Sequence, residues 1–167
     1  MFDGLIEVRR ASTMSQLFRH AWILFIGATC VNALLWWNRG RAEAARNPEL
    51  APGYRALVGG FLIYGNLPWL VMGLGIVAGG VPSVAHYFDP RNGPFVILFY
   101  VTIVALWVAS THWVFVRSGA EALVRHPGLL KIDVEAPWAI KMFLLLSLAG
   151  GVAGLAAMLS GAIRVPR

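Results

Sequence analysis

The sequence predicts an all-α integral membrane protein, a bundle of four transmembrane helices that forms a single domain from residue 1 to residue 167. Its composition is 58% hydrophobic and only 13% charged, whereas about 25% of the residues in an ordinary soluble protein are charged. A soluble fold of this size could not hide so much apolar surface. The charge is also segregated, because Lys141 is the only charged residue inside the four long apolar segments.

Each apolar segment is close to the length of about 20 residues that a helix needs to cross the hydrocarbon core of a bilayer. The first is short, but it ends in Trp36 and Trp37, a residue type enriched at membrane interfaces. The second holds no charged residue, the third begins with Pro94, which suits the first turn of a helix, and the fourth is interrupted only by Lys141. The predicted spans are residues 21–37, 56–81, 94–116 and 138–163.

Residues 2–19 place their apolar side chains roughly on one helical face, with arginines interspersed. An amphipathic helix of this kind can lie on the lipid headgroups. The alternative is that the segment continues the first span out of the membrane. The sequence supports the two alternatives about equally.

The connectors carry turn signals. In the first, residues 39–55, Asn47-Pro48 and Pro52-Gly53 resist a continuous helix. The third connector, residues 117–137, is expected to begin as a helical extension of the third span. Pro127-Gly128 should end that helix. Within that extension three charged residues lie four apart and could pair along one face: Arg117, Glu121 and Arg125.

The second connector, residues 82–93, is aromatic and polar. We expect it to form an interfacial turn whose rings, Tyr87 and Phe88, hold it at the membrane edge. A docking or metal site is the alternative, but one histidine and one aspartate, His86 and Asp89, fall short of a metal-ligand set.

The net charge of +6 does not indicate nucleic-acid binding, because the basic residues sit between the apolar segments and not in a stripe interleaved with aromatic rings. Such residues orient helices and meet anionic headgroups, so the expected partner is the lipid bilayer. Eight basic residues fall on the side of the first and third connectors and six on the other. This favours termini that face away from the cytoplasm. With no transit-like leader, a bacterial cytoplasmic (inner) membrane is the expected location.

The second span should be kinked near its middle, at Gly65 and Pro68. Proline has no N–H, so the carbonyl of Tyr64 loses its helical partner and must find another donor, which Asn66, a water or a neighbouring helix could supply. Kinks of this kind serve packing in most membrane helices and line substrate sites in some transporters.

Counted from the second connector, Asn66 and His112 lie at similar distances along their spans, so they could share one depth. The predicted intramembrane polar cluster consists of Asn32, Asn66, Thr111 and His112, with Lys141 approaching it. Hydrogen bonds between such side chains hold membrane bundles together. They can also form a proton or substrate route or ligate an ion.

The fourth span carries a G-x-x-x-G pattern continued by further small residues. Small side chains let a second helix approach closely, which gains contact that lipid cannot replace. The predicted helix-packing ridge is Gly150, Gly154, Ala157 and Gly161, used within the bundle or for binding a partner.

No catalytic, metal or cofactor signature is present in the sequence. Bis-histidine haem ligation needs two histidines in two spans at one depth, and no two of the four histidines are arranged in this way. The single cysteine, Cys30, is expected to be a small packing residue. The leading hypothesis is a non-catalytic accessory or structural membrane protein that packs with itself or with a larger membrane protein. A small oligomeric transporter or channel using the kinked second span is the alternative, and a membrane-embedded enzyme or cofactor protein is the third.

Overall fold

The structure, a computed structural model, describes residues 2–129 and 135–160, and for residues 2–17 it describes the helical backbone alone. All regular secondary structure in these residues is helical. Short 3₁₀ turns, Pro48–Leu50 and Val84–Phe88, occupy the first two connectors. The five α-helices are α1 (Phe2–Arg46), α2 (Ala51–Val77), α3 (Pro94–Val116), α4 (Gly119–Arg125) and α5 (Pro137–Leu159).

Four helical stretches are long and apolar enough to cross a membrane, as the sequence predicts: Phe18–Arg46, Pro48–Val77, Pro94–Val116 and Pro137–Leu159. The third agrees with its predicted bounds at both ends, and Pro94 lies in the first turn of α3. The fourth begins as predicted, while the last residues of the predicted span, 161–163, lie outside the described residues.

The first helix extends beyond its predicted bounds in both directions. No break separates residues 2–19 from the first span, since α1 is one helix from Phe2. It also continues past Trp37, because residues 38–46 are polar but rich in good helix formers. Asn47 leaves helical geometry, with φ −130° and ψ 81°, as expected for a residue that precedes a proline.

The second helix is displaced from its predicted range, 56–81, to 51–77. Its C-terminus is a Schellman motif centred on Gly79, whose φ is +76°. The N–H of Gly80 donates to the carbonyl of Gly75, and that of Gly79 donates to Ile76, which is the hydrogen-bond pattern of this motif. The apolar run therefore continues past the end of the helix.

Helices α1 and α2 form an antiparallel pair in which large rings lie on glycine. Trp22 covers Gly73, and Tyr54 covers Gly40. Between these ends, the ring of Phe25 stacks on Trp69 at a centroid distance of 4.3 Å. Successive contacts move forward along α1 and backward along α2 by similar numbers of residues. The contact therefore runs along the whole antiparallel pair, and the glycines let the two backbones approach closely.

Helix α3 packs on α2, with Phe95 beside Gly75. The second connector closes this end of the bundle with Tyr87, whose hydroxyl donates to the carbonyl of Met72 at 3.0 Å. Tyr87 is only 3% exposed. The expectation of an interfacial turn held by both rings is therefore wrong for Tyr87, which packs inside, while Phe88 is 45% exposed.

Helix α5 runs antiparallel to α3 along a seam with a seven-residue repeat. Gly151 lies against Trp107, and Tyr100 contacts Met158 at 3.2 Å. One repeat further along, Leu144 packs against a cluster that contains Val114. A seven-residue repeat is the spacing at which two helices interlock along one seam.

The expected extension of α3 into the third connector is wrong. Ser118 adopts a left-handed conformation, with φ 55°, and separates α3 from α4 as Trp113 packs on Gly119. The turn redirects Glu121, which bonds Lys141 of α5 at 2.8 Å and not the arginines four residues away. The predicted pairing of Glu121 with Arg117 and Arg125 is also wrong.

Candidate functional site

Two residues of the predicted small-residue ridge of α5, Gly150 and Gly154, are not covered by the described part of the chain. A Cβ built at Gly150 or Gly154 would meet no atom within 4 Å. Their neighbour Gly151 is the glycine that α3 covers, because a Cβ there would lie 2.5 Å from Trp107 Cζ2. Ala157 is half-buried, and Gly161 lies outside the described residues. Within the described chain, the G-x-x-x-G pair is therefore not used for packing.

Helix α5 as a whole is the least enclosed of the four long helices. None of its most apolar 18-residue stretch is buried, whereas 33% of the corresponding stretch of α2 is buried. Ile140, at 9% exposure, is its one buried residue among those described. Its contacts run along the seam with α3, against α4 at its start and against Arg91 at its end, so the side that carries Gly150 and Gly154 is free for another helix or for lipid.

The structure does not assemble the predicted polar cluster. Asn66 is 7% exposed, whereas Asn32 and His112 are exposed and Thr111 is half-buried. Among the described residues, no hydrogen bond joins any two of the four.

The shared depth of Asn66 and His112 also needs correction. Because α2 ends early and Gly75 is level with Phe95, Asn66 lies nine residues from that level and His112 lies 17. At about 1.5 Å per residue the two are about 12 Å apart along the bundle.

Pro68 lies inside α2, which continues as an α-helix on both sides of it. The side-chain amide of Asn66 donates to the carbonyl of Leu62 at 2.7 Å, not to the carbonyl of Tyr64 that the proline frees. The other side-chain atom, Asn66 Oδ1, is buried without a partner. Gly65 contributes to helix packing here, since Thr29 of α1 lies against it.

A layer of basic side chains surrounds the end of the bundle formed by the first and third connectors. Gly40 faces Tyr54, which puts Arg39 and Arg41 level with Arg55. Two further arginines reach this level from the third connector and its flanking helix ends. We call the set the arginine layer: Arg39, Arg41, Arg55, Arg117 and Arg125, all exposed.

This layer lies at a definite distance from the opposite end of the bundle. Arg117 follows Phe95 by 22 residues, which is about 33 Å along a helix. The hydrocarbon core of a bilayer is about 30 Å thick. The polar second connector and the arginine layer are therefore separated by the thickness of one hydrocarbon core.

Beside the arginine layer, Lys141 donates to Glu121 and closes the start of α5 onto α4. This hydrogen bond is the largest cause that lowers the pKa of the Glu121 carboxyl from its ordinary value of 4.5, and a hydrogen bond with the backbone of Glu121 is the second. Both side chains are partly exposed, at 30% for Lys141 and 42% for Glu121. The pair therefore links α4 to α5 in a partly solvated position, although Glu121 Oε2 is itself buried without a hydrogen-bond partner.

At the opposite end, the second connector forms a hydrogen-bonded turn. Ser83 Oγ and His86 Nδ1 lie 3.0 Å apart, and the guanidinium of Arg91 donates to the carbonyl of Leu159 at the end of α5. Among the described residues, no group of three His, Cys, Asp or Glu side chains is arranged to hold a metal ion.

The sequence gives little indication of one packing site, the docking of the third connector onto α1 and α2. The ring of His126 lies on Gly53 and meets Tyr54 edge to face at 4.8 Å, and the Tyr54 hydroxyl donates to the carbonyl of Pro127 at 2.8 Å. Leu129 is completely buried beside them. These partners are more than 70 residues apart in the chain. The local sequence indicated only turns, at Pro52-Gly53 and Pro127-Gly128, and not that the two turns contact each other.

No protein-family model, curated protein or solved structure matches this chain.

Proposed function

We propose that this protein is a non-catalytic component of a bacterial cytoplasmic membrane and that the ridge side of α5 binds one helix of another membrane protein or of a second copy. The open pair Gly150 and Gly154 carries the proposal, because no part of the described chain covers it. In lipid, association gains little from hydrophobic burial, so close backbone approach at small residues is a principal source of stability.

The proposal includes membrane insertion. Four apolar helices and the separation of about 33 Å between the two polar ends match the thickness of a bilayer. The positive-inside rule places the connector side that carries more arginine and lysine in the cytoplasm, so the arginine layer is assigned to that face.

The test is co-purification in mild detergent from cells that express two differently tagged copies. Gly150→Leu with Gly154→Leu should remove the stoichiometric partner, either the second tag or one larger protein, because leucine holds the two backbones apart. The matched control is Ala149→Leu with Ala156→Leu, on exposed positions of another face of α5, and it should retain the partner. A partner kept by the glycine variant, or no stoichiometric partner at all, would overturn the proposal.

A small oligomeric transporter or channel is the second candidate, supported by Asn66 Oδ1, a buried acceptor without a donor two residues before Pro68. Its test is flux into reconstituted vesicles. Asn66→Leu should abolish the flux if this side chain serves the transported species, and His112→Phe tests the other predicted polar residue. Flux that survives both substitutions would rule out the site.

A further inference from the structure

The part of the chain that the structure describes does not neutralise the arginine layer. The described part of the chain gives its five arginines no ion pair and no side-chain hydrogen bond. Of the described carboxylates at this end, Glu43 pairs with Arg46 at 3.2 Å and Glu121 pairs with Lys141. Glu49 and Glu135 are exposed and form no ion pair with an arginine of the layer. Exposed guanidinium groups at this level are therefore available for an external anion.

Packing fixes the backbone that carries these arginines. Arg39 lies beside Gly128 of the docked connector, Arg55 follows the buried Tyr54, and Arg125 precedes the buried His126. Helices α1, α2 and α4 are thus packed together immediately beside Arg39, Arg55 and Arg125. A binding surface that is already ordered loses less entropy when its ligand arrives.

We infer that the arginine layer binds the headgroups of anionic phospholipids. A guanidinium presents several N–H donors in a planar fork that matches the oxygens of a phosphate. The layer lies where four apolar helices end, about one hydrocarbon thickness from the other polar end, so a lipid beside the bundle presents its phosphate at this level. Zwitterionic lipids carry a phosphate too, but their own ammonium group offsets its charge.

The opposite end offers less. Among the described residues at that end, Arg91 already donates to the carbonyl of Leu159 and its backbone N–H is held by Asp89. Arg19 is exposed there without an ion pair, against five such arginines in the arginine layer. We therefore expect anionic lipid to be selected at the arginine layer, with little preference around the second connector.

The inference rests on membrane insertion, which belongs to the proposed function, and the experiment separates the two. The full chain is reconstituted with spin-labelled phosphatidylglycerol or spin-labelled phosphatidylcholine, and the motionally restricted fraction of each is measured by electron paramagnetic resonance. The wild type should select phosphatidylglycerol over phosphatidylcholine by about threefold or more, since each cation near the surface adds to the attraction. High salt should reduce the selectivity.

Arg39→Gln, Arg55→Gln and Arg125→Gln together should lower the selectivity markedly, with only Arg41 and Arg117 of the layer left to bind the headgroups. A matched triple of equal charge change, Arg9→Gln, Arg10→Gln and Arg19→Gln, should leave most of it. Equal selectivity in the wild type for both lipids, or equal loss in both triples, would overturn the inference. Absence of a restricted fraction for either lipid would overturn it together with insertion, whereas a restricted phosphatidylcholine fraction without preference leaves insertion intact.

Discussion

The indole of Trp107 lies directly against Gly151, and this contact fixes how closely α5 approaches α3. The adjacent Gly150 meets nothing within 4 Å. Two neighbouring glycines in one helix therefore have different roles, one inside the chain and one available to a partner.

Gly151→Ala should lower the free energy of unfolding by about 1–3 kcal/mol, because the added methyl forces the Trp107 ring away from α5. Gly150→Ala should change it little, or raise it by up to about 1 kcal/mol through better helix propensity. Unfolding in mixed micelles at increasing dodecyl sulfate measures both. Equal losses in the two variants would show that the seam between α3 and α5 is misplaced.

Gly53→Ala should destabilise the docked third connector by a similar amount, about 1–3 kcal/mol, since a Cβ at Gly53 would overlap the buried ring of His126. Gly59, in the same helix with open space around it, supplies the control Gly59→Ala. His126→Ala should relieve the overlap, so the double variant with Gly53→Ala should lose less than the sum of the two single losses. Strict additivity would mean that the two residues do not touch.

Tyr87→Phe should cost about 0.5–1.5 kcal/mol, the typical net value of one hydrogen bond, because it removes the donor to the carbonyl of Met72. The exposed Tyr64 provides the control, and Tyr64→Phe should be neutral. Burial also raises the pKa of Tyr87 above 10.0. Its contribution to stability is therefore complete below pH 10 and is lost as the pH rises through the folded-state pKa, which absorbance titration of wild type against Tyr87→Phe would detect.

The Glu121–Lys141 pair should give the stability an acid dependence. Because the folded-state pKa of Glu121 lies below 4.5, its contribution is complete above pH 4.5 and disappears as the pH falls through the lower folded-state value. Glu121→Gln should reduce stability at pH 7 and flatten this part of the pH profile. A profile with unchanged slope below pH 4.5 in the variant would contradict the pairing.

The hydropathy and length of the apolar runs predicted the four long helices. A helix that crosses the hydrocarbon core needs a long run of apolar residues, and such a run is visible in the sequence itself. Helix ends were predicted only where a residue determines them locally. Pro94 begins α3 as expected. Helix α1, by contrast, continues beyond Trp37 because the polar residues that follow are good helix formers, and α2 ends at a Schellman motif inside an apolar run.

The candidate site was predicted only in part. The G-x-x-x-G of α5 was identified, but the sequence could not show that Gly151, and not Gly150, faces Trp107, because that depends on how α5 is rotated about its axis. The polar cluster was assembled by counting residues from the second connector. That count was wrong because it extended α2 past Val77 and assumed the wrong level for Asn66.

The claim that the four helices cross a bilayer is tested most directly by cysteine labelling in sealed vesicles, with Cys30→Ala as background. The single-cysteine variants are Ala45→Cys near the arginine layer, Pro82→Cys at the opposite end and Val108→Cys midway along α3, where the side chain is 65% exposed in the isolated chain. We expect a water-soluble, impermeant maleimide to reach Ala45→Cys and Pro82→Cys from opposite sides only, and Val108→Cys from neither side until the protein is denatured. Labelling of Val108→Cys as fast as Ala45→Cys, or of both ends from one side, would contradict a membrane-spanning bundle.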